Sequence, residues 1–254
     1  MTYREGAERF YDLFGAKDDA PFYLELAHRH GEKALELGVG TARLAIQLAR
    51  AGVETWGIDN APHMLRAAER SLAREPPEVR RRVHLEQADV RDFDLNERFG
   101  LVYFPSYSFD HLITGDDQAS ALRCIRRHLA PGGVYAFDLA HIPKLKEDSG
   151  WFVQRKPLNR ERTVVRLGFH RTHPEKRLMS VDLWYEVYED GRMLERYHEG
   201  GEVYIHTPDG IRRLLEENGF EIEAWYGGHD RQPFNNTSGM MVIVARRSRN
   251  REID

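Results

Sequence analysis

Two glycines close a short apolar run in Glu36-Leu37-Gly38-Val39-Gly40-Thr41-Ala42-Arg43. Glycine lets a chain turn tightly and lets a ligand approach the backbone. Asp59 ends a second apolar run, about 20 residues further on, where a carboxylate can accept both hydroxyls of a ribose. Asp89 ends a third run, in Gln87-Ala88-Asp89-Val90, and a carboxylate beside a backbone amide can read an adenine amino edge. A fourth run ends in Phe104-Pro105-Ser106-Tyr107-Ser108-Phe109-Asp110-His111-Leu112, which gathers aromatic, hydroxyl, carboxylate and imidazole groups. Taken singly, each feature has a plainer reading: a tight turn, a helix cap, a solvated loop acid. Their order along one chain is what carries weight. A dinucleotide fingerprint would place a third glycine at position 43, where Arg43 stands, so an NAD-type pyrophosphate site fits poorly.

These residues need strands to end where they stand. Ala34–Leu37, Val53–Asp59, Val83–Gln87, Leu101–Phe104 and Val134–Leu139 read as strands. Helical spacing fills the gaps: Leu44, Ala45, Leu48 and Ala49, then Met64, Leu65, Ala68 and Leu72 after Pro62, then Asp117 to Leu129. Strands alternating with amphipathic helices predict a parallel sheet covered on both faces, with ligands beyond the carboxyl ends of its strands. After Ile142 the period changes. Met179, Val181, Leu183, Tyr185 and Val187 alternate, and Asp190-Gly191 signals a hairpin, so an antiparallel sheet is inserted. Thr207 and Pro208 open a last helix that Asn218-Gly219 ends, before two final strands at Phe220–Trp225 and Met240–Ala245. The chain divides into an N-terminal helical cap (1–33), a cofactor-binding core (34–141), an antiparallel insertion on the substrate side (142–206), the completion of the core sheet (207–246) and a polar tail (247–254).

The order Glu-Leu-Gly-Val-Gly-Thr, Gly57-Ile58-Asp59, Ala88-Asp89-Val90 and Leu129-Ala130-Pro131-Gly132-Gly133 resembles the class I S-adenosylmethionine-dependent methyltransferases. The resemblance implies an α/β, doubly wound, Rossmann-like sheet of seven strands, the seventh antiparallel between the fifth and sixth. It implies that Glu36, Gly38 and Gly40 line the methionine portion of S-adenosylmethionine. Asp59 would hold the ribose hydroxyls with Asn60 beside the adenine, and Asp89 and Val90 would hold the adenine edge. Phe104 would contact the cofactor, and Met64 counts with the same group. Ala42 stands where the family often has a third glycine. The 104–112 segment and the inserted sheet resemble the small-molecule branch, including antibiotic amino-sugar N-methyltransferases. Tyr11 matches a tyrosine that closes over the methionine end in some members, and a core aromatic is an equal reading of it.

A sulfonium methyl is already a good leaving group, so the acceptor must mainly be held close, in line and unprotonated. His111 is the first candidate for a proton acceptor and His229, in Tyr226-Gly227-Gly228-His229-Asp230, the second. Either is as readily a structural hydrogen-bonding histidine. No metal is expected: Cys124 is the sole cysteine, and His28-Arg29-His30 turns its rings to different helix faces. A net charge of −4 gives no global attraction to nucleic acid, and Phe104-Pro105-Ser106-Tyr107 lacks the Asn/Asp-Pro-Pro-Tyr/Phe pattern of nucleic-acid amine methyltransferases. A nucleic-acid enzyme and a non-catalytic S-adenosylmethionine-binding protein are the rivals. The expectation is a cytoplasmic enzyme, monomer or homodimer, with a small-molecule methyl acceptor and neither nucleic-acid nor membrane partners.

Overall fold

The protein is described by a computed structural model covering residue 6 and residues 8–15, 18–31, 33–145 and 148–248. In chain order the elements are α1 (Glu8–Phe14), α2 (Ala20–His30), β1 (Lys33–Leu37), α3 (Arg43–Arg50), β2 (Glu54–Asp59), α4 (Pro62–Leu72), α5 (Pro77–Arg80), β3 (Val83–Gln87) and β4 (Phe99–Phe104). They continue with α6 (Gly115–His128), β5 (Leu129–Ala140), β6 (Asp148–Pro157), β7 (Arg162–His173), β8 (Leu178–Glu189), β9 (Arg192–Tyr204), α7 (Pro208–Glu217), β10 (Phe220–Tyr226) and β11 (Met240–Arg247).

Seven strands form the main sheet in the order β10-β11-β5-β4-β1-β2-β3. Strands β1 to β5 pair in parallel, and β11 runs antiparallel between β5 and β10. The reversed seventh strand expected from the resemblance is therefore present. Strand order reverses at β1, which lies between β4 and β2. The crevice of a doubly wound sheet opens at that point, beyond the carboxyl ends of the strands.

The period of two in β1 assigns its faces. Leu35 and Leu37 are fully buried in the cluster that includes Ile125, Leu215 and Ile243, from α6, α7 and β11. Ala34 packs with Tyr23, Leu44 and Tyr103 under α2 and α3. Each fully buried aliphatic side chain stabilises the fold by about 1.5–3 kcal/mol.

The second sheet is antiparallel, in the order β6-β7-β8-β9. Met179, Val181, Leu183, Tyr185 and Val187 point inward with Phe10, Val164 and Val203, as their alternation predicts. Asp190 and Gly191 both have positive φ (47° and 77°), the requirement of the tightest two-residue hairpin turn.

The structure adds elements that periodicity did not reveal. Strand β6 is an edge strand whose Trp151 and Val153 are 63% exposed, so it lacks the alternation of a half-buried strand. Strand β5 begins at Leu129 rather than Val134, because the Pro131-Gly132-Gly133 stretch is carried within the strand as an irregularity, with Gly132 at φ 78°, across a register shift against β4. Pro77 opens the one-turn α5. The tail reading falls largely on residues outside those described. No helix among the described residues is long and apolar enough to cross a membrane.

Candidate active site

The loop after β1 is shaped by three left-handed residues: Gly38 (φ 63°), Gly40 (φ 54°) and Ala42 (φ 61°). A Cβ on Gly38 would lie 3.3 Å from the Phe104 ring, and one on Gly40 would lie 3.4 Å from the Met64 methyl. Side chains there would fill the crevice floor. The Gly40 N–H donates to Asp59 Oδ2 at 2.9 Å, and the Ala61 N–H donates to Oδ1 at 2.8 Å. The Asp59 carboxylate is thus fixed in orientation, and each oxygen keeps a second lone pair for a ligand. Burial raises its pKa above the usual value, against the pull of these N–H groups.

Arg43, at the position a third glycine would take in a dinucleotide site, has a structural partner. It forms a fork to the buried Asp19 at 2.9 and 2.6 Å. Thr41 donates to Asp12 at 2.8 Å. These bonds seat α1 and α2 over the glycine loop. Tyr11 comes with them, its hydroxyl hydrogen-bonded to the Ser106 side chain and its pKa pushed up to about 12 by burial.

A cavity of about 240 Å³ lies between this loop and the end of β4. Tyr11, Gly38, Gly40, Asp59, Asn60, Met64, Asp89, Val90 and Phe104 all line it, and so does His111. Glu36 does not. It is buried beneath the loop, where the Tyr103 hydroxyl donates to Oε2 at 3.0 Å. Burial raises its pKa to about 8, so at neutral pH it is a carboxylic acid rather than a carboxylate.

At the opposite rim, Asp89 is already held. Arg91 grips it through Nε at 2.9 Å and Nη2 at 2.6 Å, and reaches Asp117 at 2.9 Å. The hydrogen bonds from Arg91 keep the Asp89 carboxyl below the usual range. Both partners line the cavity, and the sequence singled out neither as a site residue. No spacing rule links a residue after β3 to the first turn of α6. Ser108 and Leu112 also line it, within the 104–112 segment singled out by its composition.

The end of β4 is built differently. Ser106 (φ 61°) and Tyr107 (φ 59°) are consecutive non-glycine residues in left-handed conformation, which costs free energy unless the surroundings hold it. Asp138, at the end of β5, holds it. Its Oδ1 accepts from the Tyr107 N–H at 2.6 Å, and its Oδ2 accepts from the Ser106 N–H at 3.1 Å and the Tyr23 hydroxyl at 2.9 Å. Asp110 adds a second tie, accepting from the Ala140 N–H at 3.0 Å. Its burial raises its pKa well above the carboxylate range. A short 3₁₀ turn, Ser108–His111, then carries His111 to the cavity wall.

Burial lowers the His111 pKa to about 4, so its ring is neutral at pH 7. One ring nitrogen donates to the backbone carbonyl of Glu202 on β9. His229 is not among the cavity-lining residues. Its Nε2 is 3.4 Å from Asp138 Oδ2, and its ring packs 5.5 Å from Phe22 and 5.6 Å from Tyr23.

This reversed-strand sheet, with its glycine loop and a fixed carboxylate ending β2, has the Rossmann-like architecture found in methyltransferases. Comparison with known proteins agrees. The methyltransferase domain family matches residues 34–133. A dTDP-4-amino-2,3,4,6-tetradeoxy-D-glucose N,N-dimethyltransferase of Saccharopolyspora spinosa is 30% identical over 150 residues, 59% of this chain and 57% of that protein. A cypemycin N-terminal methyltransferase of a Streptomyces species is 25% identical over 218 residues, 85% of this chain and 84% of that protein. The CcbJ methyltransferase of Streptomyces caelestis shares the fold with a TM-score of 0.82 at 22% identity, over 98% of each chain. CalS10, an amino pentose methyltransferase of Micromonospora echinaspora, does so with a TM-score of 0.76 at 22% identity, over 98% of this chain and 99% of that one. Residues 34–133 of the chain are thus similar to a methyltransferase domain, and the likenesses support S-adenosylmethionine-dependent methyl transfer.

Proposed function

We propose that this methyltransferase acts on the amino nitrogen of a small molecule of the amino-sugar kind. The observation that carries the reading is the placement of His111. A neutral imidazole, anchored to the backbone of Glu202, shares a single cavity with the glycine loop and Asp59. The amine relatives named above support nitrogen as the acceptor atom.

The residues present fit S-adenosylmethionine: Gly38 and Gly40 leave the crevice floor open, and Asp59 offers two oriented acceptors to a ribose. When bound, the cofactor supplies a methyl group on a sulfonium leaving group. The chain's part is to hold and align. A base of pKa about 4 is roughly a thousandfold too weak to keep a proton at pH 7. His111 therefore accepts a hydrogen bond from an acceptor N–H and aims the nitrogen lone pair, rather than removing a proton. The nitrogen gains its fourth bond as the methyl transfers, and then sheds its proton to solvent. Met64 and Phe104 give the cavity apolar walls, which exclude water and favour an uncharged amine.

The test is methyl transfer from S-adenosylmethionine to a nucleotide-linked amino sugar, with its hydroxyl analogue alongside. Product on the amine alone is expected. Equal product from the hydroxyl analogue would refute the nitrogen assignment.

A further inference from the structure

A second concavity, of about 600 Å³, lies between α6 and the segment joining β3 to β4. Arg91, Arg98, Arg123, Arg126, Arg127 and Arg247 line it, and Asp92 is its one lining acid. The chain as a whole carries a charge of −4, so this gathering runs against its overall balance. Arg91 is paired with Asp89 and Asp117. Among the described residues, Arg98, Arg123, Arg127 and Arg247 form no ion pair with a carboxylate; their partners are hydroxyl, sulfur and carbonyl groups, where they have any. Arg247 donates to the Leu129 carbonyl at 2.7 Å and to the Arg126 carbonyl, which fixes its guanidinium at the foot of α6. Burial first, then the neighbouring charges of Arg98 and Arg126, lower its pKa. Arg98, Arg123, Arg127 and Arg247 are therefore held near one another without carboxylate partners among the described residues.

We infer that this groove binds a small phosphate-bearing anion. Planar guanidinium forks match phosphate oxygens two at a time, and several forks on one concave wall suit a di- or triphosphate. The volume is that of a nucleotide-sized site. A long polyanion fits less well. Asp94 and Glu97 stand beside Arg98 and Arg127, and would repel a backbone continuing past the groove. The inference does not depend on the identity of the methyl acceptor.

The experiment is calorimetric titration of the full chain with inorganic tripolyphosphate, with ADP and with a 20-nucleotide single-stranded RNA. It is repeated on Arg98→Glu/Arg127→Glu, whose Tm and S-adenosylmethionine affinity should match the parent. Saturable binding of tripolyphosphate or ADP, weakened at least about tenfold in the variant, is the expected result. Tighter binding of ADP would mark a nucleotide site, and equal binding an inorganic polyphosphate site. Equal affinity in parent and variant, or no saturable binding of either small anion, would overturn the proposal. So would RNA binding more tightly than both.

Discussion

The two walls of the cleft are built on opposite principles. At the glycine loop, backbone groups close in sequence do the work: the Gly40 and Ala61 N–H groups fix Asp59, and glycines clear the floor. At the end of β4, a strained pair of ordinary residues is held by side chains from distant elements. Asp138 lies 31 positions from Tyr107 and 115 from Tyr23. The first wall is set once the strand-turn-helix unit forms. The second exists only when β4, β5, α2 and the inserted sheet have all docked. Binding the cofactor and placing the acceptor should therefore be separable by mutation.

The largest separation is expected from Asp59→Ala. Losing an oriented, charged acceptor of two hydroxyl hydrogen bonds should weaken S-adenosylmethionine binding about a hundredfold by calorimetry. A loss under about threefold would mean that the cofactor wall does not depend on this carboxylate. Asp138→Ala should do the converse. Turnover at saturating cofactor should fall about thirtyfold, on the order of 2 kcal/mol in barrier, while cofactor affinity stays within about twofold. Adding Ser106→Gly and Tyr107→Gly should recover part of that loss, because glycine adopts left-handed backbone without a clamp. No recovery would show that Asp138 acts other than through this strain.

A smaller effect is expected from His111→Ala: kcat lower by about tenfold with cofactor affinity unchanged. His111→Gln, which retains an acceptor, should keep more activity than the alanine variant. Unchanged turnover in both would remove His111 from the reaction. The smallest effect concerns stability against pH. His111 and His206 are held neutral by burial, with pKa values of about 4 and about 3. Their imidazoles protonate more readily in the unfolded chain, so their contribution is intact above about pH 6.5 and declines as pH falls towards 3. Thermal melts should show Tm falling by roughly 5 °C from pH 6.5 to 4, and falling less in His206→Gln. The Glu36 carboxyl acts in the other direction. Its pKa of about 8 means that its contribution is intact below about pH 4.5 and is lost as pH rises through 8.

The same contrast explains what could be read from sequence. The seven-stranded sheet was legible because its runs are short, apolar and broken by glycine and proline. Gly38, Gly40, Asp59 and Asp89 were legible because their positions follow from strand ends and turns. The Arg91–Asp117 link, the Asp138 clamp and the burial of Glu36 were not, since each depends on which elements pack together. Glu36 shows the limit well: its place at the end of β1 gave no sign that Tyr103, opposite it on β4, would receive it below the cavity. His229 was misleading for a related reason. The loop after β10 folds back onto α2 instead of opening on the cavity.

The bond between His111 and the inserted sheet ends on the main chain of Glu202. A carbonyl is the same whatever residue bears it. The side chains of β6 to β9 can therefore drift, or be exchanged wholesale by recombination, without the imidazole losing its anchor. Lineages that need new acceptors could rewrite the insertion and inherit the rest unchanged.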